Sequence, residues 1–221
     1  MKFKKVNFNN DRWSVKVKDI THIFKYEKQE YLASSIANGI DQDKYDLIII
    51  SSDVCDEFEK LNDNITNSTL IYDIINLTGH PVLFMPKWSR LKPWHNILHP
   101  INHFTDTLKE YEHILPLIKI FNSKIHLLGI NNLSNREATR EYYNALYTIN
   151  CYYARNSIHV KSKIINHNDV SDTILAYASI IKADLIYNPL TRNTSKRTGY
   201  INSTWGKMID RSEIPLYNYF N

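Results

Sequence analysis

Three histidines recur at intervals of four residues, a spacing that raises the question of a metal site. They are His95, His99 and His103. Zinc is commonly bound by imidazole nitrogens, which must converge on the ion at about 2 Å. These histidines span a predicted strand and the loop after it, and not one face of a helix. Their side chains need not converge, so we expect ordinary strand and loop histidines and no metal.

Acidic groups and a thiol follow a second predicted strand. They are Asp53, Cys55, Asp56 and Glu57. Ligands of α/β proteins often bind at the carboxyl ends of strands, but a solvated acidic loop explains the same residues and is preferred. Cys55 would need a base or a cationic neighbour to act as a nucleophile. The other cysteine, Cys151, is expected in the core.

Basic residues concentrate in a polar stretch near the end of the chain. They are Arg192, Lys196, Arg197 and Lys207. They could bind an anion, although a solvated basic loop is the simpler reading. No Ser-His-Asp arrangement and no paired-carboxylate signature stands out. The sequence therefore predicts no catalytic residue and no enzyme.

Composition limits the classes of function. The chain has 221 residues, 43% hydrophobic and 23% charged, which suits a globular protein with a sizeable core. A net charge of +4 without a dense basic run argues against nucleic acid. No apolar run reaches about 18 residues and no apolar segment follows the basic start, so neither a membrane span nor a secretion signal is predicted. We read the fifteen tyrosines, such as Tyr142 and Tyr152, as packing. A reduced, cytoplasmic protein is expected.

A β-α-β unit over 96–130 organises the pattern. Two apolar runs flank a helical segment from Thr105 to about Phe121, which Pro116 should bend. From Asn96 onward strand and helix alternate five times, which predicts an α/β fold with a doubly wound parallel sheet. The further helices expected in this part are at 134–155, from Asp169 or Ser171 onward, and at 203–211; the further strands are at 158–164, 183–187 and 214–219.

The beginning of the chain repeats part of its end. The sequence Tyr-Asp-Leu-Ile at 45–48 matches Ala-Asp-Leu-Ile at 183–186, and His-Pro-Val-Leu at 80–83 matches Ile-Pro-Leu-Tyr at 214–217. We therefore predict two domains, residues 1–92 and 93–221, the first a partial copy of the second. Its expected strands are 2–8, 13–18, 45–50 and 81–85, its helices 27–38 and 68–77, and its linker to the second copy 86–93.

Residues 95–221 resemble a complete universal stress protein domain. Ile97-Leu98-His99-Pro100-Ile101-Asn102 resembles that family's first strand, commonly Ile-Leu-Val-Pro-Val-Asp. The runs at 183–186 and 214–216 resemble its fourth and fifth strands. The resemblance implies a Rossmann-like sheet of five parallel strands, preceded here by a reduced copy.

ATP-binding members of that family carry Gly-x-x-Gly, nine residues, then Gly-Ser/Thr. Glycine lets backbone N–H groups approach the phosphates. Here the three glycine positions fall on Pro189, Arg192 and Asn202, and only Ser203 matches. In the first copy they fall on Cys55, Phe58 and Ser68. No cofactor is therefore expected, with ATP disfavoured. The ligand-binding positions that the resemblance implies are Pro100, Ile101, Asn102, Arg192, Asn202, Ser203 and Thr204.

The resemblance implies a non-enzymatic protein of the stress-response type that acts through dimerisation or an unknown protein partner. The alternative is a nucleotide- or anion-binding regulator that uses Arg192, Arg197 and Ser203. Family members dimerise through the final strand, and here 82–85 and 216–220 are two such strands on one tether. We expect them to pair within the chain. The helices missing from the first copy should leave apolar sheet surface uncovered, which is compatible with a homodimer of chains.

Overall fold

The computed structural model describes residues 12–17, 20–25, 47–52, 66–87, 89, 92–101, 114–131, 136–190 and 204–220. Nine strands and five helices lie in these ranges. The strands are β1 (Arg12–Val17), β2 (Ile20–Lys25), β3 (Ile48–Ser51), β4 (Val82–Met85), β5 (Asn96–Ile101), β6 (Lys124–Asn131), β7 (Val160–Asn166), β8 (Leu185–Leu190) and β9 (Leu216–Phe220). The helices are α1 (Asn67–Thr78), α2 (Leu115–Phe121), α3 (Arg136–Arg155), α4 (Val170–Ile180) and α5 (Thr204–Arg211).

Seven of the strands form one sheet in the order β3-β4-β9-β8-β5-β6-β7. The five strands from β5 to β9 are parallel to one another. Their sequence order, read across the sheet, turns back between β5 and β8, as in a doubly wound Rossmann-like fold. The predicted α/β fold class and the parallel five-stranded sheet are confirmed.

The sheet is buried on both faces, because successive side chains of a strand point to opposite sides. Leu98 and Ile186 pack in one core with residues of α1, α4 and α5. Ile97 and Leu185, each one residue away, pack in the other core with residues of α2 and α3. This two-sided burial explains why the strands read as continuous apolar runs in the sequence.

The two parts of the chain meet at β4 and β9. β3 and β4 are parallel to each other, whereas β4 is antiparallel to β9. Leu83 lies opposite Tyr217 and Phe84 opposite Leu216. The final strands of the two parts therefore pair with each other inside one chain, and both cores continue across the pair.

The first part differs in two respects from the sequence prediction. The strand predicted at 13–18 exists as β1, but its neighbour is the unpredicted, antiparallel β2, and the two form a separate sheet. The apolar surface expected to be uncovered is largely covered: Leu83 and Met85 are buried, and Leu47 and Ile49 are half-buried. The predicted strand 2–8 and helix 27–38 lie outside the described residues.

Local chemistry fixes several helix ends. Thr66 caps α1 through the Thr69 N–H, and α1 stops at Gly79, whose φ of 68° lies in the left-handed region. Of the two predicted caps, Asp169 is the one that caps α4, with its carboxylate 3.0 Å from the Asp172 nitrogen. The described part of the helix predicted at 105–121 begins only at Leu115, so Pro116 sits in the first turn. Proline causes no bend there, because first-turn N–H groups have no intrahelical acceptor to lose.

The buried face of α3 differs slightly from the one that packing of Tyr142 and Tyr152 would give. Leu146, Ile149 and Tyr153 are buried, whereas Tyr152 is half-buried against the same core. The side chain of Tyr142 lies outside the described residues. The tyrosines make two neighbouring faces of α3 suitable for burial, and contact with the sheet determines which of the two is buried.

Candidate functional site

The carboxyl ends of β5 and β8 mark the place where the strand order reverses, which is where α/β sheets commonly bind ligands. Pro100 and Ile101 are the last residues of β5, and both are buried. Thr204 is half-buried and begins α5, whose crossover connection places it at the same edge of the sheet. The other predicted ligand positions, Asn102, Arg192, Asn202 and Ser203, lie outside the described residues.

Pro189 occupies the first of the three positions where the phosphate loop would have glycine. The structure places it inside β8, in register with Tyr219 of β9, and half-buried. The sequence predicted that this strand ends at Asn188-Pro189, but the strand continues to Leu190. The backbone at this position belongs to the sheet, and proline supplies no N–H to a phosphate.

His99 lies in the core beneath this edge and is 1% exposed. Its Nδ1 is 2.9 Å from the Tyr153 hydroxyl oxygen, and the Tyr187 ring meets its ring edge-on with centroids 4.9 Å apart. Burial lowers the pKa of His99 to about 3, because the charged form loses its hydration. The imidazole is therefore neutral near pH 7 and packs as a polar core residue. It is too weak a base for acid-base catalysis at that pH.

The metal hypothesis finds no support in the geometry. His95 is exposed before β5 begins and His99 is buried within it. Four strand residues separate the two Cα atoms by about 13 Å. His103 lies outside the described residues. No group of three metal-binding side chains occurs within the described ranges.

Two buried asparagines join the halves of the sheet. Asn188 and Asn218 are fully buried, and the Asn188 Nδ2 donates to the Asn218 Oδ1 at 2.8 Å. The Asn218 Nδ2 in turn donates to the Leu216 carbonyl at 3.2 Å and lies 3.5 Å from that of Val82. These hydrogen bonds between buried groups hold β8, β9 and β4 in register, although the buried Asn188 Oδ1 accepts none within the described part of the chain.

Asp184 organises the opposite edge of the sheet. Its Oδ2 accepts hydrogen bonds from the backbone nitrogens of His95 and Asn96 at 3.0 and 2.9 Å. Its Oδ1 lies 2.5 Å from the Lys92 Nζ. The carboxylate thereby fixes the start of β5 against the start of β8. The sequence indicated this residue only through the repeated Asp-Leu-Ile run, whose first copy begins at Asp46.

A second carboxylate links the two parts of the chain. The Asp210 Oδ1 accepts from the Ser68 nitrogen at 2.9 Å, and its Oδ2 accepts from the Ser68 hydroxyl at 2.8 Å. Nothing in the sequence pairs these residues, which are 142 positions apart. Only the packing of α1 against α5 brings them together.

The remaining candidates from the sequence divide into two groups. Cys151 is half-buried on α3 and not fully in the core, and Lys207 is exposed on α5. The acidic residues at 53–57 and the basic residues Lys196 and Arg197 lie outside the described ranges. The structure thus brings the carboxyl end of β5 and the first residue of α5 to one edge of the sheet. The roles suggested for the acidic and basic loops remain predictions.

Solved structures identify the fold. A universal stress protein from Archaeoglobus fulgidus matches with a TM-score of 0.64 at 17% identity, over 86% of this chain and 65% of that one. A Pseudomonas aeruginosa structure assigned to the same family matches with a TM-score of 0.55 at 15% identity, over 88% of this chain and 69% of that one.

The chain has the universal stress protein fold. The predicted resemblance is thus confirmed at the level of fold. The chain spans about two thirds of the length of these two structures. No family model matches the sequence, and no curated protein matches it either. Among the described helices, none is long and apolar enough to cross a membrane.

Proposed function

We propose that this universal-stress-protein-like chain is a non-enzymatic, cytoplasmic protein of the stress-response type that acts by binding a protein partner. One observation carries the proposal: Pro189 is a strand residue paired with Tyr219. A glycine loop that wraps phosphates needs a flexible backbone and free N–H groups at that position. This chain has neither there, so we propose that it does not bind ATP in that way.

The buried groups beneath the same edge support this reading. Pro100 and Ile101 fill the end of β5 with apolar side chains, and His99 is a neutral core residue. Their packing stabilises the sheet, and none of them offers a charged or strongly polar group to a reacting molecule. A scaffold whose surface recognises another protein needs no such group.

An altered anion site is the second candidate. Thr204 begins α5, and helix N-termini favour anions through their free N–H groups and the helix dipole. The basic residues Arg192 and Arg197 precede it in the sequence. A regulator of this kind would bind a nucleotide or another phosphate compound without glycines.

Calorimetric titration with Mg-ATP separates the two candidates. If the chain binds a protein partner and no nucleotide, the titration should show no heat of binding at micromolar concentrations of Mg-ATP. Micromolar affinity that is lost in Arg192→Ala and Ser203→Ala, and kept in the control Lys119→Ala at an exposed site on α2, would favour the anion-binding regulator. Light scattering on the same sample gives the mass of the particle, and a mass of two chains would assign homodimerisation as part of the mechanism.

A further inference from the structure

β7 is an edge strand and forms one border of the seven-stranded sheet. Its only strand neighbour in the described part of the chain is β6. Four consecutive residues of β7, from Lys161 to Ile164, are exposed, whereas most residues of the central strands are buried. An exposed border strand presents a row of backbone N–H and C=O groups that can pair with another extended segment.

Cations cover one face of this border. Lys161 lies opposite His126 of β6, which places Lys124 opposite His159. Lys163 follows two residues after Lys161 on the same face, with its Nζ 5.5 Å from the centre of the Tyr177 ring. Burial, and after it the charges of Lys124, Lys161 and His159, lower the pKa of His126. The like charges are close enough to affect one another.

Within the ranges that the structure describes, these cations have no counter-ion. The ion pairs between described residues are Lys92–Asp184 and Arg211–Asp172, and neither includes a residue of the basic face. Uncompensated like charges repel and cost stability, unless an external anion is bound. The basic face therefore fits an acidic partner.

The opposite face of the same strand has no lysine and adjoins exposed apolar groups. Ser162 accepts a hydrogen bond from the Asn150 amide on α3, so Ile164, two residues on, lies on the α3 side. Tyr147 lies almost one turn before Asn150 on α3 and is 72% exposed, and Ile164 is 38% exposed. A strand added here would meet lysines on one side and apolar groups on the other.

A second copy of the chain fits this border poorly. If two β7 strands paired antiparallel about Ser162 or Lys163, lysine would lie directly opposite lysine. Like charges in that position destabilise a pair of strands. Lysine on a border strand is a common protection against such self-pairing, and it leaves an acidic strand as the matching occupant.

We propose that the outer border of β7 binds an extended, acidic segment of a partner protein as an additional strand. This inference rests on the proposed function, partner binding, and assigns the surface that performs it. The acidic side chains of the segment face Lys161 and Lys163, and its apolar side chains face Ile164 and Tyr147. The site lies away from the strand ends at which the nucleotide hypothesis places its ligand.

Fluorescence anisotropy tests this with the full chain and a labelled peptide that alternates glutamate and valine. The wild type should bind it, and binding should weaken in high salt. The double variant Lys161→Glu, Lys163→Glu should raise the Kd at least ~10-fold. A control double variant, Lys119→Glu, Lys182→Glu, makes the same charge change at exposed sites elsewhere and should keep the wild-type Kd. The same peptide N-methylated at every residue should not bind, because it has no N–H left to donate to a strand.

Three results would overturn the inference: no binding by the wild type, equal weakening in the control variant, or unchanged binding of the N-methylated peptide. Cross-linking in the cells that make the protein distinguishes a wrong assignment of the β7 surface from a failure of the proposed function. A partner captured equally by the wild type and by the Lys161→Glu, Lys163→Glu variant would refute the β7 surface and leave partner binding intact.

Discussion

The carboxylate of Asp210 on α5 accepts both the backbone N–H and the hydroxyl of Ser68 in the first turn of α1, at 2.9 and 2.8 Å. Ser68 is fully buried, and the two residues belong to different halves of the chain. A carboxylate at a helix N-terminus is stabilised by free N–H groups and by the helix dipole. The family resemblance had placed Ser68 at a glycine of the phosphate loop. In this fold that position already holds an anion of the chain itself.

Replacing Asp210 with alanine should therefore lower the free energy of unfolding by about 1–3 kcal/mol, because the buried backbone N–H of Ser68 loses its acceptor. Urea denaturation measures the loss. The matched control is Asp172→Ala, whose ion pair with Arg211 is exposed and should be worth less than about 1 kcal/mol. Equal losses in the two variants would show that the Ser68 contact adds nothing beyond a surface charge.

The stability of the protein should depend on pH through His99. Its folded pKa of about 3 lies below the unfolded value of 6.5. The unfolded state therefore binds the proton first as the pH falls, and stability is lost below pH 6.5 by about 1.4 kcal/mol per pH unit. In His99→Gln, which cannot titrate, this part of the slope should vanish. Urea denaturation at several pH values gives the slope. His167→Gln, at an exposed site, should keep it, and an unchanged slope in His99→Gln would refute the assignment.

The C-terminus of α1 depends on the backbone freedom of Gly79. Its φ is 68°, and a Cβ added there would meet nothing within 4 Å. The cost of Gly79→Ala is thus conformational, about 1 kcal/mol, and no steric clash adds to it. Gly79→Asn should cost less, because asparagine tolerates the left-handed region better. Thermal unfolding ranks the variants, and a larger loss for asparagine than for alanine would contradict this explanation.

A charged side chain placed where β4 pairs with β9 should destabilise the whole fold. Leu216 is fully buried between Phe84 of β4 and Ile186 of β8. Leu216→Glu should cost at least about 3 kcal/mol, because it buries an unpaired carboxylate. Tyr147→Glu, at an exposed site, should have little effect on stability. A Leu216→Glu variant with wild-type stability that lost only chain dimerisation would show that the final strands pair between chains.

The fold was largely predictable because a buried parallel sheet leaves a strong trace in the sequence. The runs at 97–101, 125–130 and 185–187 are apolar except for His99 and His126, since both sides of each strand are buried. Gly79 and Asp169 marked helix ends through conformations and hydrogen bonds that depend on few neighbours. The repeat indicated Asp184 without revealing its partners.

What the sequence did not reveal depends on contacts between distant segments. Ser68 and Asp210, or Asn188 and Asn218, are ordinary polar residues until the helices and strands pack. The extra length of β8 through Pro189 comes from pairing with β9, which overrides the tendency of proline to end a strand. The candidate site was predicted only as positions in a loop, most of which lie outside the described residues.

Disulfide trapping across β4 and β9 tests most directly whether the two halves form one sheet within one chain. Leu83→Cys and Tyr217→Cys place thiols at positions that are directly opposite in the register. Cys55 and Cys151 are replaced by serine, and a Leu83→Cys, Leu127→Cys pair, which lies four strands apart, is the control. Mild oxidation of dilute protein should give an internal disulfide in the first pair alone, at the mass of a single chain. Disulfide-linked dimers, or no bond in either pair, would contradict the account.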